Sequence, residues 1–531
     1  MPRVRLAEVC AALSLTTDLA SGAPFEKGLR TCVVATAFAE LLGADEADRT
    51  AVFYAALLRS LGCTAHASEN AALFLDDVAF QAAFKRLDPG APAVFDRQLR
   101  AFGAWAPAQQ DGLRQRFLRL APVDGPRAAR ACCEVSRALG GLLGLPVRAV
   151  DALDDVYERW DGLGLPGVRR GEELSWVARV VHVAEQAVFA HADGGVPAAR
   201  AEVVRRAGGH LDPGLAAAFV SDAGDLLAAL AAPDLLVAVV AAEPGPAPVV
   251  GPADRTALCR ALAAVADLKG RWLLGHSGHV AAVADAGAVA SGFPDAERPS
   301  VQAAALLHDL GRVTVSSAVW DRPGPLGAAD RERVRLHAYW TDRILRRCPA
   351  LADLAGPAAA HHERCDASGY HRGVGSTDLS RAARLLAAAD VFAAVTEPRP
   401  YRGAGTPDSA RAVLAAEVAA GRLDREACDA VLTGAGATPV RAAWPCGLTG
   451  REVDVVRLAA RGRSDRAIAA QLGISPRTVG HHLAHVYDKT GRRTRAGVAV
   501  FAMEHGLLPG WAEPPMRTPG PPGHPRPATG T

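Results

Sequence analysis

Apolar residues recur every three or four positions through most of the 531-residue chain, which is the spacing of one face of an α-helix. Short turns interrupt this pattern, and no segment shows the convincing alternation of apolar and polar positions that is typical of a strand. Abundant Ala and an aromatic content of only 5% also favour helix. The pattern therefore predicts an all-α protein.

Segments rich in Pro and Gly divide the helical pattern. We predict linkers at 243–254 and 433–447, and a disordered tail at 509–531. In the tail, 8 Pro and 4 Gly fall among 23 residues, a composition that cannot form a packed element. The predicted folded units are 1–242, 255–432 and 448–508.

The first two of these units repeat each other. A shift of 205 residues aligns Glu158-Arg159 with Glu363-Arg364, and Leu174-Ser175 with Leu379-Ser380, without a gap. The segment 55–62 also resembles 304–311, but at a spacing that places an insertion of about 44 residues in the first copy. We therefore predict two helical bundles in tandem, followed by a small third domain.

Composition restricts the location and the partners of the chain. No run reaches the 18 or so consecutive apolar residues that a membrane helix needs, and no export signal is recognisable at the N-terminus. The ten cysteines are scattered without a C-x-x-C pair, so we expect reduced, mostly buried thiols in a cytoplasmic protein without membrane attachment. A net charge of +2 excludes nucleic-acid binding through overall basicity, but it does not exclude a small basic module.

Histidines concentrate in the second copy, where seven of the sixteen fall within 276–371. An isolated His-Asp pair is usually structural. Several imidazoles and carboxylates on separate helices of one bundle, however, form the ligand set of a divalent metal site.

Residues 272–402 resemble the HD-GYP branch of the HD-domain phosphohydrolases, which typically hydrolyse cyclic di-GMP. The motifs that carry the resemblance are, in order, His276-Ser277, the run LHDLGR at 307–312, His337, the run HHERxDxxGY at 361–370, Asp390-Val391-Phe392 and Arg399-Pro400-Tyr401-Arg402. The resemblance implies two divalent ions, with Fe or Mn expected. The implied metal ligands are His276, His308, Asp309, His337, His361, His362 and Asp390.

The resemblance also implies roles in catalysis and substrate binding. Asp309 would bridge the two metals, and Arg312 would act beside it on the phosphate, which is cleaved by in-line attack of an activated water. Tyr370, Arg399 and Arg402 would bind the cyclic dinucleotide, the two arginines through its phosphates.

Three positions depart from the family pattern. Arg312 stands where the family has Lys, and His371 replaces the Pro of the G-Y-P motif. Trp272 occupies the position of a Glu that supports a third metal in some members, so two metals are the most that we expect.

The first copy lacks most of the implied ligands. Arg59-Ser60 aligns with His308-Asp309, Val156-Tyr157 aligns with His361-His362, and Glu185 takes the place of Asp390. Cys132 lies opposite His337. We therefore predict that 1–242 is a degenerate HD-like domain, which either packs on the second copy or senses a ligand.

The C-terminal segment 448–508 shows the signals of short capped helices. Thr449-x-x-Glu452 is a capping box, Ser464 precedes a second helix that ends at Gly473, and Ser475-Pro476 begins a third. Two short helices joined by a tight Gly turn form a helix-turn-helix, whose second helix enters the DNA major groove.

The charge of this segment agrees with that interpretation. Residues 447–510 contain ten Lys or Arg and five Asp or Glu, so a basic domain is attached to an acidic remainder. The segment closely resembles the LuxR-type helix-turn-helix of bacterial response regulators, which implies four helices, the fourth (about 494–505) supporting a homodimer. The implied DNA-binding residues are Arg477, Thr478, His481, His482, His485 and Lys489. Gly480 stands where the family often has Lys. The three His could instead form a metal cluster, but they lack an acidic or cysteine partner.

Together these features predict a bacterial DNA-binding transcriptional regulator that carries an HD-GYP-type phosphodiesterase domain. The alternative is a non-enzymatic regulator whose HD domain only senses a metal or a nucleotide. The complete ligand set favours an enzyme, whereas Arg312 and His371 favour the alternative.

Overall fold

The structure, a computed structural model, describes residues 4–437, 444–460, 462–505 and 507. About 68% of it is helical, so the prediction of an all-α protein is confirmed. Two short strands, β1 (Val4–Arg5) and β2 (Val249–Val250), pair antiparallel with Val4 opposite Val250. The predicted tail at 509–531 and residues 438–443 of the second predicted linker lie outside the described residues.

The helices of the first half are α1 (Leu6–Ala20), α2 (Lys27–Leu41), α3 (Glu46–Leu58), α4 (Ala67–Phe74), α5 (Asp77–Phe84), α6 (Pro92–Ala101), α7 (Gln110–Leu142), α8 (Val147–Ala152), α9 (Trp176–Arg206), α10 (Pro213–Ala228) and α11 (Leu235–Ala242). Turns of 3-10 helix lie at Pro107–Gln109, Leu153–Asp155, Gly171–Glu173 and Ala229–Ala231.

The helices of the second half are α12 (Pro252–Asp267), α13 (His276–Ala290), α14 (Arg298–Leu307), α15 (Ser317–Trp320), α16 (Ala328–Arg335), α17 (His337–Arg347), α18 (Ala355–Ala359), α19 (Arg381–Thr396), α20 (Pro407–Ala419) and α21 (Arg425–Gly434). Its 3-10 turns lie at Leu310–Thr314 and Pro349–Leu354.

The two halves share one central helix. Almost every residue of α1 is buried, because it packs on α2 and α3 of the first half and on α12, α17 and the Leu310–Thr314 turn of the second. Residues up to 414, together with 424–437, accordingly form one compact unit. The proposed division of this unit into domains at 243–254 stays a prediction.

Equivalent close contacts occur in both halves. A Cβ at Gly311 would lie 1.9 Å from the carbonyl oxygen of His337, and a Cβ at Gly62 would lie 2.0 Å from that of Cys132. In the second pair of contacts, the backbone N–H of Tyr370 donates to His362 O and that of Leu165 donates to Tyr157 O. The positions that the repeat aligns therefore occupy equivalent places in the two halves.

Residues 415–423 and those from 444 onward form a second unit. It contains the turn Pro445–Gly447 and α22 (Gly450–Ala460), α23 (Asp465–Leu472), α24 (Pro476–Thr490) and α25 (Arg495–Glu504). The predicted caps form: Thr449 and Glu452 bond reciprocally, and Ser464 and Ser475 accept from the third residue of their helices. Gly473 ends α23 with a positive φ of 64°.

By length and composition, one helical stretch of the described chain, Pro213–Ala231, could cross a membrane. The same test is passed by core helices of soluble proteins, and α10 packs on α2 and α9 through Ala216, Phe219 and Ala223. None of the ten cysteines, all of which lie in the described part of the chain, forms a disulfide; eight are buried, whereas Cys365 is partly exposed and Cys446 is exposed.

Candidate functional site

Six of the seven residues predicted as metal ligands lie at or next to helix ends of the second half, and the seventh, Asp390, lies within a helix. His276 begins α13, His308 and Asp309 follow α14, and His337 begins α17. His361 and His362 lie just after α18, and Asp390 lies within α19. Helix ends place these side chains side by side although they are up to 114 positions apart in the sequence.

Asp309 lies at the centre of this cluster and is fully buried. Its Oδ1 lies 3.3 Å from Nε2 of His337 and 3.5 Å from Nε2 of His361. Its Oδ2 lies 2.8 Å from Nε2 of His308 and 3.5 Å from Nε2 of His276. One carboxylate therefore faces four imidazoles, two on each oxygen, which is the arrangement expected of a ligand that bridges two metals.

The outer nitrogens of three of these histidines fix their tautomers. Nδ1 of His308 lies 2.6 Å from Ala305 O, that of His361 lies 2.7 Å from Ala358 O, and that of His337 contacts Val334 O. A carbonyl oxygen can only accept, so each Nδ1 carries a proton, and whenever the ring is neutral its Nε2 presents a lone pair to the cluster.

Two of these lone pairs oppose each other, because Nε2 of His337 and Nε2 of His361 are only 3.1 Å apart. Two unprotonated nitrogens repel at this distance unless a proton or a metal cation lies between them. Nε2 of His276, Nε2 of His308 and both oxygens of Asp309 are also buried, and no hydrogen bond of good geometry satisfies them, although charged partners lie within 2.8 Å of one of these oxygens. The donor set therefore fits divalent metal ions.

Three overlapping groups of side chains could each hold an ion, with their ligand atoms within 4.8 Å of one another. They are His337 with His361 and His362, His276 with His308 and Asp390, and His308 with Asp309 and His361. The seven predicted ligands are thus brought together, and their assignment as metal ligands stays a prediction.

The electrostatics of the cluster keep some of its ligands, but not all, in the forms that bind metals. Burial and Arg312 would lower the pKa of His276, but hydrogen bonds to Asp309, Asp390 and Glu397 raise it to about 10, so this imidazole is protonated while no metal is bound. Burial lowers the pKa of His361 to about 4, so this imidazole is neutral at physiological pH. The pKa of Asp309 lies well below its usual range, because Arg312 and His308 outweigh the effect of burial. The carboxylate is therefore ionised.

Glu397 is a member of the site that the sequence did not indicate. Its Oε2 lies 2.8 Å from Nδ1 of His276, and its Oε1 lies 2.8 Å from Nδ1 of His279. Burial would raise the pKa of Glu397, but the hydrogen bonds to the two histidines lower it to about 2. The spacing of His276 and His279, one helical turn apart, was the available signal for a shared partner.

Arg312, the predicted phosphate ligand, is buried beside the cluster. Its Nη2 lies 2.7 Å from Oδ2 of Asp309, and its guanidinium lies over the ring of Trp320 at 5.3 Å. The arginine therefore neutralises part of the charge on the carboxylate that is predicted to bridge the metals.

The three predicted substrate residues have different surroundings. The ring of Tyr370 lies 4.4 Å from that of His362, at the mouth of the cluster. Arg399 forms an ion pair with Glu397, because its Nη2 lies 3.1 Å from Oε2 of that residue. Arg402 instead donates to the carbonyls of Ala394, Val395 and Glu397 at the end of α19. Its guanidinium is committed to the backbone, and its role in substrate binding stays a prediction.

In the first half, an ion cluster occupies the place of the metal ligands. Nζ of Lys27, which begins α2 as His276 begins α13, lies 2.6 Å from Oε1 of Glu185. Nη2 of Arg59 lies 2.8 Å from Oε2 of the same carboxylate, and Lys85 donates to Ser60 Oγ at 3.1 Å. These cations lower the pKa of Glu185 to about 2 against the opposing effect of burial.

The predicted DNA-binding residues lie on α24 of the second unit. Arg477, His481 and His485 are exposed, whereas Thr478 and His482 are partly buried. Lys489 pairs with Glu452 through Nζ and Oε2 at 2.7 Å, which uses its charge within the domain. The opposite face of α24 packs Val479 and Leu483 into a core with α22 and α23.

Comparison with known proteins identifies two segments of the chain. Residues 260–427 match the family model described as "HD domain", and residues 447–502 match "Bacterial regulatory proteins, luxR family". The chain therefore contains an HD domain and, after it, a LuxR-family helix-turn-helix domain.

Its relatives are cyclic-dinucleotide phosphodiesterases. The chain is 28% identical over 419 residues to 3′3′-cGAMP-specific phosphodiesterase 3 of Vibrio cholerae, covering 77% of this chain and 90% of the relative. It is 36% identical over 146 residues to the cyclic di-GMP phosphodiesterase response regulator RpfG of Xanthomonas campestris, covering 27% and 38%.

A solved structure shares the fold. The crystal structure of a cyclic GMP-AMP specific phosphodiesterase of V. cholerae superimposes with a TM-score of 0.57 and 23% identity. The likeness covers 82% of this chain and 99% of that one.

Proposed function

We propose that the second half of the chain is a metal-dependent phosphodiesterase that hydrolyses a cyclic dinucleotide, and that the C-terminal domain binds double-stranded DNA. The observation that carries the enzymatic part is the convergence of locked Nε2 lone pairs on the buried Asp309 carboxylate. The names of the relatives suggest cyclic di-GMP or 3′3′-cGAMP as substrate.

Two divalent ions would be held by His276, His308, Asp309, His337, His361, His362 and Asp390. When bound, such ions supply Lewis-acid stabilisation of the charge that develops on a phosphodiester. The carbonyls that accept from Nδ1 of His308, His337 and His361 hold the three rings in orientation throughout the reaction.

The remaining side chains orient the substrate. Tyr370, beside His362 at the mouth of the site, offers a ring on which a guanine base can stack. Arg312 and Arg399 flank the cluster and offer guanidinium groups to the phosphate.

The test is hydrolysis of cyclic di-GMP and 3′3′-cGAMP by the purified full chain, loaded separately with Mn²⁺ or Fe²⁺. We expect a linear dinucleotide product and a loss of at least 1,000-fold in kcat/KM for Asp309→Asn, or about 4 kcal/mol. Asp295→Asn, whose side chain is 96% exposed, is the matched control. Metal binding without turnover of either substrate would reject the enzymatic proposal.

DNA binding rests on the exposed Arg477, His481 and His485 of α24 and on the LuxR-family match. We expect gel shifts with genomic fragments that weaken steeply between 50 and 200 mM salt. Arg477→Ala in the full chain should weaken binding by about 1–3 kcal/mol, whereas the exposed Arg331→Ala should leave it unchanged. Binding that ignores both salt and Arg477→Ala would contradict the proposal.

A homodimer through α25 and a cytoplasmic location complete the proposal, since DNA-binding regulators of this architecture act on two half-sites. Sedimentation of the full chain, with and without DNA, tests the dimer.

The non-enzymatic alternative is favoured by one observation. Arg312 contacts the Oδ2 of Asp309 that a bridging metal would use. In that case the HD domain would bind a metal or a nucleotide without turnover, and Arg312→Lys would increase the metal content of the protein.

A further inference from the structure

A cavity in the first half lies where the second half has its substrate-binding face. It encloses about 680 Å³, including its open mouth. Cys132, Tyr157 and Leu165 line one wall, and these are the positions that the repeat aligns with His337, His362 and Tyr370. The opposite wall comes from α4, α5 and α7, which lie in and beside the insertion specific to the first copy.

The lining of this cavity differs chemically from that of the metal site. Phe74 and Phe80 stack at 4.3 Å, and Phe84 and Phe117 extend the aromatic wall. None of the lining residues is Lys or Arg, and the ionisable His66 and Asp124 also line the cavity, so it lacks the permanent positive charge that favours a phosphate. Apolar surface that lines an open cavity favours binding of an apolar molecule, because binding removes this surface from water.

Two buried amides line the same cavity. Asn70 and Gln81 are 6% and 7% exposed, and neither side chain has a hydrogen-bond partner within the described chain. Buried amides are almost always hydrogen-bonded in folded proteins. Water or another molecule that enters the cavity can therefore supply their partners.

We propose that this cavity is a binding site for an uncharged, mainly aromatic small molecule that carries a hydrogen-bonding oxygen or nitrogen. The phenylalanines contact its apolar body, and Gln81 and Asn70 bond to its polar group. The insertion has thus converted a phosphodiester-binding face into an apolar ligand site, which is independent of the metals and of the proposed enzyme activity.

The site can be tested with Nile red, an uncharged planar dye with one carbonyl, titrated into the full chain while its fluorescence is recorded. We expect saturable binding of one dye per chain. Ala121→Phe and the milder Ala128→Leu place added atoms on the cavity wall and should weaken binding at least tenfold and threefold. Val123→Phe, on the same helix but 64% exposed, is the matched control and should bind like the unmodified chain.

A second probe separates the polar contact from simple burial. Gln81→Leu should weaken Nile red at least fivefold but leave the hydrocarbon diphenylhexatriene unchanged or tighter. Circular dichroism verifies that each variant is folded. Absence of saturable dye binding, or equal binding by the Ala121→Phe, Ala128→Leu and control variants, would overturn the proposal.

Discussion

At the scale of single residues, Glu397 shows how the geometry of the predicted metal site depends on a side chain outside the predicted ligand set. A carboxylate that accepts from Nδ1 of a histidine fixes the direction of Nε2 and raises its basicity. Glu397 does this for His276 and also bonds to His279, so it is a positioning residue for α13.

We predict that Glu397→Ala lowers the affinity for Mn²⁺ by about 10- to 100-fold, because His276 loses its orientation. Glu397→Gln should restore part of the loss, since its amide oxygen can still accept from Nδ1. Isothermal titration calorimetry measures the affinity, and the exposed Glu332→Ala is the control. Equal affinities for all four proteins would contradict this role.

The ion cluster of the first half leads to a separate prediction about how stability depends on pH. Burial, reinforced by Lys27, lowers the pKa of Lys85 from 10.5 to about 8. Between these two values the unfolded chain binds more protons than the folded chain, so the free energy of unfolding rises with pH.

We predict a gain of about 2 kcal/mol from pH 8 to pH 10. Lys85→Met should abolish this gain, because the group that titrates is gone. Urea unfolding of the full chain, monitored by circular dichroism across this pH range, measures it. Lys489→Met, which lies in the C-terminal unit, should retain the gain, and a pH slope that is identical in both variants would disprove the assignment.

At the scale of elements, the glycine after the histidine-aspartate pair controls the approach of two segments. Gly311 lies against the first turn of α17, where His337 begins the helix. Any side chain at this position must push the start of α17 away from Asp309. Gly62 makes the same contact with α7, at Cys132, in the half without the metal ligands.

We predict that Gly311→Ala and Gly62→Ala both destabilise the fold, by about 1–3 kcal/mol, because overpacking forces the backbone to shift. Only Gly311→Ala should also weaken metal binding, since it displaces His337. Gly278→Ala, which meets open space on α13, should do neither. Thermal unfolding and metal titration on the same samples separate the effects, and metal loss in Gly62→Ala would refute the distinction.

Local sequence signals predicted the helices of the helix-turn-helix well, but they did not predict the contacts of Glu397 and Arg402 around the metal-ligand cluster. Caps such as Thr449, Ser464 and Ser475 act within one turn, so their residues alone determine where α22, α23 and α24 begin. The contacts of Glu397 and Arg402 depend on how distant segments pack, which no local pattern encodes.

The scarcity of lysine in the sequence is a signal for the ion cluster of the first half. The chain has only four lysines beside its many arginines, and three of them, Lys27, Lys85 and Lys269, make ion pairs or hydrogen bonds in or near the core. The aromatic cavity could not be predicted, because its walls come from α4, α5 and α7 and from Tyr157 and Leu165, which only the tertiary fold brings together.

At the scale of the whole molecule, the two halves depend on each other. Lys269 of the second half is completely buried and pairs with Asp77 of the first, whose Oδ1 also accepts from Ser316 and Ser317. Separating the halves would leave a charge without its partner and would expose the surfaces that α1 covers.

We therefore predict that a fragment of residues 252–437 does not fold alone, although it contains every predicted metal ligand. It should elute as aggregates and show no cooperative thermal transition, whereas residues 1–437 should be monomeric or dimeric and cooperative. Size-exclusion chromatography and circular dichroism test this. A well-behaved 252–437 fragment would show that the central helix is dispensable.

Because Lys27 and Arg59 stand where the second half has histidines, the two halves differ in how far their buried charges depend on metal ions. In the first half, the positive charge that balances Glu185 is part of the polypeptide, so a chelator cannot withdraw it. In the second half, Asp309 and Asp390 would rely on exchangeable ions for much of that balance. If the predicted ions are bound, removing them with a chelator would therefore change the charge balance of the second half and leave the ion cluster of the first half intact.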